Sequence, residues 1–338
     1  MDGVQVGLAP AGVEFDAVLH EQLVDRRERL QVAKSRNGLD PDFSRLLSEV
    51  DAALMRFEKG TYGLCEECHD PIESERLLAD PLVRVCLGDL TDRQRHALED
   101  DLQLASSIQN ALLPKTNLGS EFWQVDFHYQ PAGIVSGDYC DVIAHDGELY
   151  FILGDVSGKG MAASLLMSNL HAMFHSLVPL GLPLHELMGR ANHMFCESTL
   201  SNQYATLVFG KISTKGEVEI CNAGHLPPIV VKDGENITLD AAGLPLGLFC
   251  DSNFAARCFR LEAGETLVLY TDGVTEANDH TEAEFGIARL LESLNGSYAD
   301  GPSGLVRNCV AAVETFRGSA SRNDDLTILA VKFAGAAN

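Results

Sequence analysis

The sequence predicts an α+β protein in which a mixed sheet-and-helix domain follows a helical, cysteine-bearing module. Three observations predict it. Apolar residues recur at helical spacing up to residue 59; between Gly60 and Asp89 that periodicity gives way to Cys, Pro and Gly; beyond Pro114, short apolar runs alternate with longer helical ones. The 338 residues suit two domains or one large one. The pattern divides them into a hairpin-plus-cysteine module over 1–90, a linker helix over 91–118 and a domain over 119–335, the last long enough to bury a substantial core.

The first zone reads as two helices. Phe15, Val18, Leu19 and Leu23 share one helical face, and Leu46, Leu47, Val50, Leu54 and Phe57 share another. Between them Asn37-Gly38-Leu39-Asp40-Pro41-Asp42 is turn chemistry, so the pair forms a helical hairpin. A third helix starts at Thr91, where Thr91 and Gln94 have capping-box spacing, and Pro114 stops it. Its single stripe of Leu98, Leu102, Ala105, Ile108 and Leu112 needs a partner. A two-helix coiled coil, hence a homodimer, supplies one; packing against the chain's own domain is the alternative.

Beyond Pro114 the predicted strands are Glu121–Tyr129, Glu148–Gly154, Tyr204–Ile212, Glu217–Asn222, Ile229–Lys232, Ala256–Leu261, Thr266–Thr271 and Leu326–Phe333. The predicted helices are Met161–Leu177, Leu184–Leu200, Glu284–Leu294 and Ser303–Phe316. Composition narrows the function classes. Asp and Glu number 49 against 25 Lys and Arg, a formal charge of -24. That balance argues against direct nucleic-acid binding and against an anionic membrane surface, and it suits divalent metals or basic partners. The N-terminus has no signal-peptide pattern, and no run of 18 apolar residues occurs. Nine cysteines, mostly scattered singly, read as a reducing cytoplasm rather than a disulfide framework.

Aspartates cluster at strand ends. Asp138 lies in Ser136-Gly137-Asp138-Tyr139, Asp155 follows Tyr150–Gly154, Asp272 follows Leu267–Thr271, and Asp324 and Asp325 precede Leu326–Val331. One Asp-Gly is ordinary turn chemistry. Four acidic sites, each joined to an apolar strand, point instead to a shared carboxylate cluster, which needs cations to offset its repulsion. Hard oxygen donors suit a pair of Mg²⁺ or Mn²⁺ ions, which can clamp an in-line phosphoryl displacement.

Six strings carry a specific resemblance: Val135-Ser136-Gly137-Asp138-Tyr139, Gly154-Asp155-Val156-Ser157-Gly158-Lys159-Gly160, Asn222-Ala223-Gly224-His225, Gly243-Leu244-Pro245-Leu246-Gly247, Tyr270-Thr271-Asp272-Gly273-Val274-Thr275-Glu276 and Asp324-Asp325-Leu326-Thr327. In this order they resemble the SpoIIE/RsbU branch of the metal-dependent PPM protein serine/threonine phosphatases, over roughly residues 119–335. The resemblance implies two packed antiparallel sheets flanked by helices, with a binuclear metal site at one edge. It implies Asp138, Asp155, Asp272 and Asp324 as catalytic metal ligands, with the Val156 carbonyl a further ligand and Asp325 a second choice. The implied reaction is hydrolysis of a phosphoprotein by metal-activated water. Residues 131–137 lack the phosphate-binding arginine of eukaryotic relatives.

Other motifs carry less. Gly160 is followed by Met161, so Gly154–Gly160 is not a Walker loop. His225 is a candidate accessory acid or hydrogen-bond donor, with a structural role the alternative. His171 and His175 stand at i, i+4 without a Glu after His171, and read as packing or helix-surface residues.

Cys65-Glu66-Glu67-Cys68 and Cys86-Leu87-Gly88-Asp89 form a zinc-knuckle pattern whose fourth position is Asp89. Zinc held by Cys65, Cys68, Cys86 and Asp89, and a metal-free remnant, both fit. Residues 56–86 are similar to the DksA/TraR zinc-finger family, whose members carry a helical hairpin before the finger. Some insert its acidic tip into RNA polymerase, for which Asp40 and Asp42 are the matching residues here. Together the resemblances imply a cytoplasmic bacterial signalling phosphatase with an N-terminal sensor or docking module. Its expected substrate is a phosphorylated anti-sigma-factor antagonist in a partner-switching pathway. The alternative is a non-enzymatic DksA-like regulator, binding RNA polymerase or another partner, with an inert phosphatase-like domain.

Overall fold

The structure is a computed structural model that describes residues 19–20, 22–27, 29–31, 41–89, 92–115, 120–199, 203–233, 235–240, 243–295 and 300–335; at 41–44, 75, 89 and 92–95 it describes the backbone only. It divides into two units, Met1–Asp101 and Leu102–Asn338.

In the first unit, helix α1 (helical residues within 19–31) packs on α2 (Pro41–Glu58). Leu23, Val50, Ala53 and Leu54 are buried together, which is the hairpin the periodicity predicts. The tip residue Asp40, and the side chain of Asp42, lie outside the described residues. Below the hairpin, Phe57 stacks on Tyr62 at 3.7 Å, and Leu19, Ile72 and Leu77 pack around Cys65 and Cys86. The short helix α3 (Ser74–Ala79) completes this module. Helix α4 (Asp92–Leu112) follows as predicted, although Thr91 lies outside the described residues. Within its predicted stripe Ile108 is 56% exposed and Leu112 packs against the second unit's core, while the neighbouring Gln109 is buried.

The second unit holds two five-stranded antiparallel sheets. One has the order β1 (Trp123–Gln130), β10 (Leu326–Phe333), β9 (Thr266–Tyr270), β6 (Ile229–Lys232), β7 (Glu235–Thr238); the other runs β2 (Asp138–His145), β3 (Glu148–Val156), β4 (Ala205–Ser213), β5 (Glu217–Ala223), β8 (Ala256–Arg260). The sheets pack face to face over Phe151, Leu153, Val208, Leu267, Leu329 and Val331. Helices α5 (Gly160–Leu177) and α6 (Leu184–Ser198) cover the outer face of the second sheet. Helices α8 (Gly286–Asn295) and α9 (Gly301–Arg317) cover the first, and the single turn α7 (Asp272–Thr275) follows β9.

The eight predicted strands and four long helices are present with small shifts at their ends. Two strands escape the sequence pattern. In β2, Asp138 and Asp141 break the apolar alternation, and β7 is a short polar edge strand. One cysteine pair departs from the reducing-compartment reading: Cys196 and Cys250 are joined by a disulfide. No helix among the described residues is long and apolar enough to cross a membrane.

Candidate metal centre

The acidic strand ends converge at one end of the sandwich. Asp138 opens β2 and Asp155 sits near the end of β3, and the two are direct cross-strand partners. Side chains of such partners leave the same face, so two carboxylates stand side by side, an arrangement that destabilises a sheet unless something offsets the charge. From the opposite sheet, β9 ends into Asp272 while β10 begins just after Asp324 and Asp325, and those strands pair as neighbours. Thr271 and Thr327 tie the sheets together, their hydroxyls donating to Asp138 Oδ2 at 2.9 and 2.5 Å.

Electrostatics records the crowding. Burial, then the facing charge of Asp155, pushes the Asp138 carboxyl well above the usual range. Burial, then Asp272 and Asp324, raises Asp155 to about 7. Asp272 is raised by burial and by Asp324, and Glu276 by burial and by Asp272. An all-oxygen set held at this electrostatic cost fits hard divalent cations.

Two glycines keep the cluster open. A β-carbon at Gly137 would lie 3.1 Å from the Val156 carbonyl oxygen and 3.5 Å from Asp155 Oδ1. One at Gly273 would lie 1.9 Å from the Asp325 carbonyl oxygen, so no larger residue fits between Asp272 and the start of β10. Asp325 itself accepts the Ala132 and Gly137 N–H groups at 2.7 and 2.9 Å, and thereby ties down the loop that leads into Asp138. Gln109 of α4 holds the same loop at Ser136 through two hydrogen bonds.

Sequence reasoning gave no role to Gln109, Thr271, Thr327 or Lys159. The two threonines and Lys159 lie inside the SpoIIE-like strings, which is their only signal in the sequence. Lys159 Nζ donates to Asp324 Oδ2 at 3.0 Å and to the Asn323 carbonyl at 2.7 Å. Burial opposes its charge, but the hydrogen bond and the field of Asp324 outweigh it and raise its pKa. Lys159, Glu276, Asn278, Arg322 and Asp324 line a cleft beside the carboxylates. His225 is buried, with Nδ1 2.8 Å from the Thr206 hydroxyl and Nε2 3.2 Å from the Tyr270 carbonyl, so its ring joins β4 to β9. Burial lowers its pKa to about 4 and keeps it neutral.

In the first unit, the sulfurs of Cys65, Cys68 and Cys86 lie within 4.8 Å of one another, with Cys68 Sγ 3.6 Å from Cys86 Sγ. Three converging thiols fit zinc; the Asp89 side chain lies outside the described residues. The histidine pair is more than helix surface, since His175 Nε2 reaches Asp141 Oδ2 at 2.8 Å.

Comparison with known proteins agrees with both modules. Residues 60–88 match the prokaryotic dksA/traR C4-type zinc finger, a span that holds Cys65, Cys68 and Cys86 and ends one residue before Asp89. Protein IcfG of Synechocystis is 28% identical over 230 residues, 59% of this chain but only 36% of IcfG. RsbU of Bacillus subtilis, a phosphoserine phosphatase, is 25% identical over 268 residues, 75% of this chain and 78% of RsbU. The SiaA-PP2C domain of Pseudomonas aeruginosa shares the fold with a TM-score of 0.63 at 20% identity, over 71% of this chain and 98% of that domain. Residues 145–334, more than half the chain, match the Stage II sporulation protein E family, and the sandwich, the order of its motifs and the converging aspartates agree with that match: the chain belongs to the SpoIIE family.

Proposed function

We propose that the chain is a metal-dependent protein serine/threonine phosphatase in which Asp138, Asp155, Asp272 and Asp324 hold two Mg²⁺ or Mn²⁺ ions, with the Val156 carbonyl as a further ligand. The observation that carries this reading is the meeting of Asp138 and Asp155 on one sheet with Asp272 and Asp324 at the strand ends of the other, burial first and neighbouring carboxylates second raising the carboxyls of Asp138, Asp155 and Asp272. When bound, the ions neutralise that repulsion and supply an activated water for in-line attack on phosphorus. The chain's own residues do the rest. Thr271 and Thr327 orient Asp138. Asp325 and Gln109 fix the 131–137 loop. Lys159, at the mouth of the cleft, is the cation that meets the phosphoryl group in place of the arginine absent from 131–137.

The similarity to RsbU supports a phosphorylated anti-sigma-factor antagonist as substrate, in a cytoplasmic partner-switching pathway. Residues 1–90 serve as a sensor or docking module with zinc on Cys65, Cys68, Cys86 and Asp89. Helix α4, within the 91–118 linker, pairs two copies through its exposed Leu104 and Ile108, ahead of the 119–335 catalytic domain. The test is phosphate release from a phosphoserine protein with Mn²⁺ or Mg²⁺. The wild type turns over and D155N does not; a wild type inert with both metals would favour the non-enzymatic regulator.

A further inference from the structure

Strand β2 presents alternate side chains to opposite faces. Cys140 and Val142 pack between the sheets, whereas Tyr139 and Ile143 pack toward the helices. Asp141 shares the helix-side face and is only 3% exposed. A carboxylate so buried needs partners. Its Oδ1 accepts the Val142 N–H at 2.7 Å and its Oδ2 accepts the Tyr139 hydroxyl at 3.0 Å. Among the described residues, no Lys or Arg pairs with it; its ionic partners are imidazoles.

His171 and His175 sit one turn apart on α5, their rings stacked at 4.1 Å. Their Nε2 atoms lie 3.8 and 2.8 Å from the same Asp141 Oδ2. All three ligand atoms fall within 4.8 Å of one another. A hydrogen bond accounts for His175. It leaves His171 Nε2 close to the same oxygen yet beyond hydrogen-bonding distance. Zinc bonds nitrogen and oxygen at about 2.0–2.2 Å, which places ligand atoms roughly 3.4 Å apart in a tetrahedron. The two separations straddle that value.

We propose that Asp141, His171 and His175 form a binding site for a borderline divalent ion of the zinc class, separate from the carboxylate cluster and from the cysteine module. Nitrogen donors select it against Mg²⁺. The half-exposed side of His175 leaves a fourth position for water. Binding staples β2 to α5. Both elements start beside the carboxylate cluster, β2 at Asp138 and α5 just past Lys159.

The test uses the full chain with its cysteine module loaded with zinc and excess Mg²⁺ present, titrated with Co²⁺. The wild type gains a visible d–d spectrum without further sulfur-to-cobalt charge transfer, takes up an additional equivalent of cobalt and melts at a higher temperature. The H171A/H175A double variant loses the spectrum and the melting shift, and H175A alone weakens cobalt binding at least tenfold. D141N, which keeps the shape of the carboxylate, guards against misfolding as the cause and weakens binding likewise. Equal cobalt uptake with equal spectra in wild type and double variant, or a wild type that shows only thiolate-type absorption, overturns the proposal.

Discussion

Gln109 and Ser136 exchange two hydrogen bonds: Gln109 Nε2 donates to the Ser136 carbonyl at 2.7 Å, and the Ser136 N–H donates to Gln109 Oε1 at 3.0 Å. Ser136 Oγ in turn accepts the Asp138 N–H at 3.0 Å, so the linker helix is two links from a carboxylate of the cluster. Replacing Gln109 by Ala strips a buried loop of two backbone partners, a loss of about 1–3 kcal/mol. The expected result for Q109A is a lower melting temperature and a higher Mn²⁺ concentration for half-maximal turnover. Q109E keeps the acceptor, sets a carboxylate against the Ser136 carbonyl and does no better.

Asp155 gives the metal-free protein a pH signature. Its carboxyl is raised from 3.8 to about 7, burial being the first cause. A raised carboxyl contributes stability that is fully present below the unfolded value and is lost as pH rises through the folded one. The loss approaches roughly 4 kcal/mol at most. Denaturant melts without metal should therefore weaken between pH 4 and pH 8. Mn²⁺ or D155N should each remove most of that fall, the variant at the expense of turnover.

His225 tilts the other way. Its pKa is lowered from 6.5 to about 4, so the fold holds it neutral where the unfolded chain protonates it. That stability is present above pH 6.5 and is lost as pH falls toward 4, by up to about 3 kcal/mol. Subtracting the profile of H225N from that of the wild type isolates this slope from the opposing one of Asp155. A difference profile that is flat between pH 6.5 and 4 would refute it.

Lys159 should act on substrate binding rather than on the chemical step. K159Q is expected to raise KM for a phosphopeptide roughly tenfold, the worth of one hydrogen bond to a charged group, with kcat nearly unchanged. K159R should retain most of the affinity. A fall confined to kcat would show that Lys159 acts elsewhere.

Gly273 is fixed by space alone. An alanine there drives its β-carbon into the Asp325 carbonyl, and either Asp272 or the start of β10 must move. G273A is expected to cost about 1–3 kcal/mol of stability and to abolish turnover, measured by thermal melts and phosphate release.

The carboxylate cluster was legible because each aspartate adjoins an apolar strand or a glycine turn, a pattern visible without coordinates. The strand that carries Asp138 was not. Its polar residues at 138 and 141 disrupt the alternation, and only their partners, the hydroxyls of Thr271 and Thr327 on one side and His175 on the other, explain why a buried strand tolerates them. On helix α4 the buried Gln109 was not legible, because what it meets is the Ser136 backbone, a polar contact that apolar spacing does not signal. The imidazole pair was visible as a spacing, but its carboxylate stands on another element, and no local pattern links the two.

Strand β2 is a partition wall one backbone thick. Asp138 looks into the space between the sheets and Asp141 looks out at a helix, and a slip of one residue would exchange the occupants of both rooms. Eight paired positions with β3 hold it in that register, so the backbone ladder keeps the two sets of side chains apart.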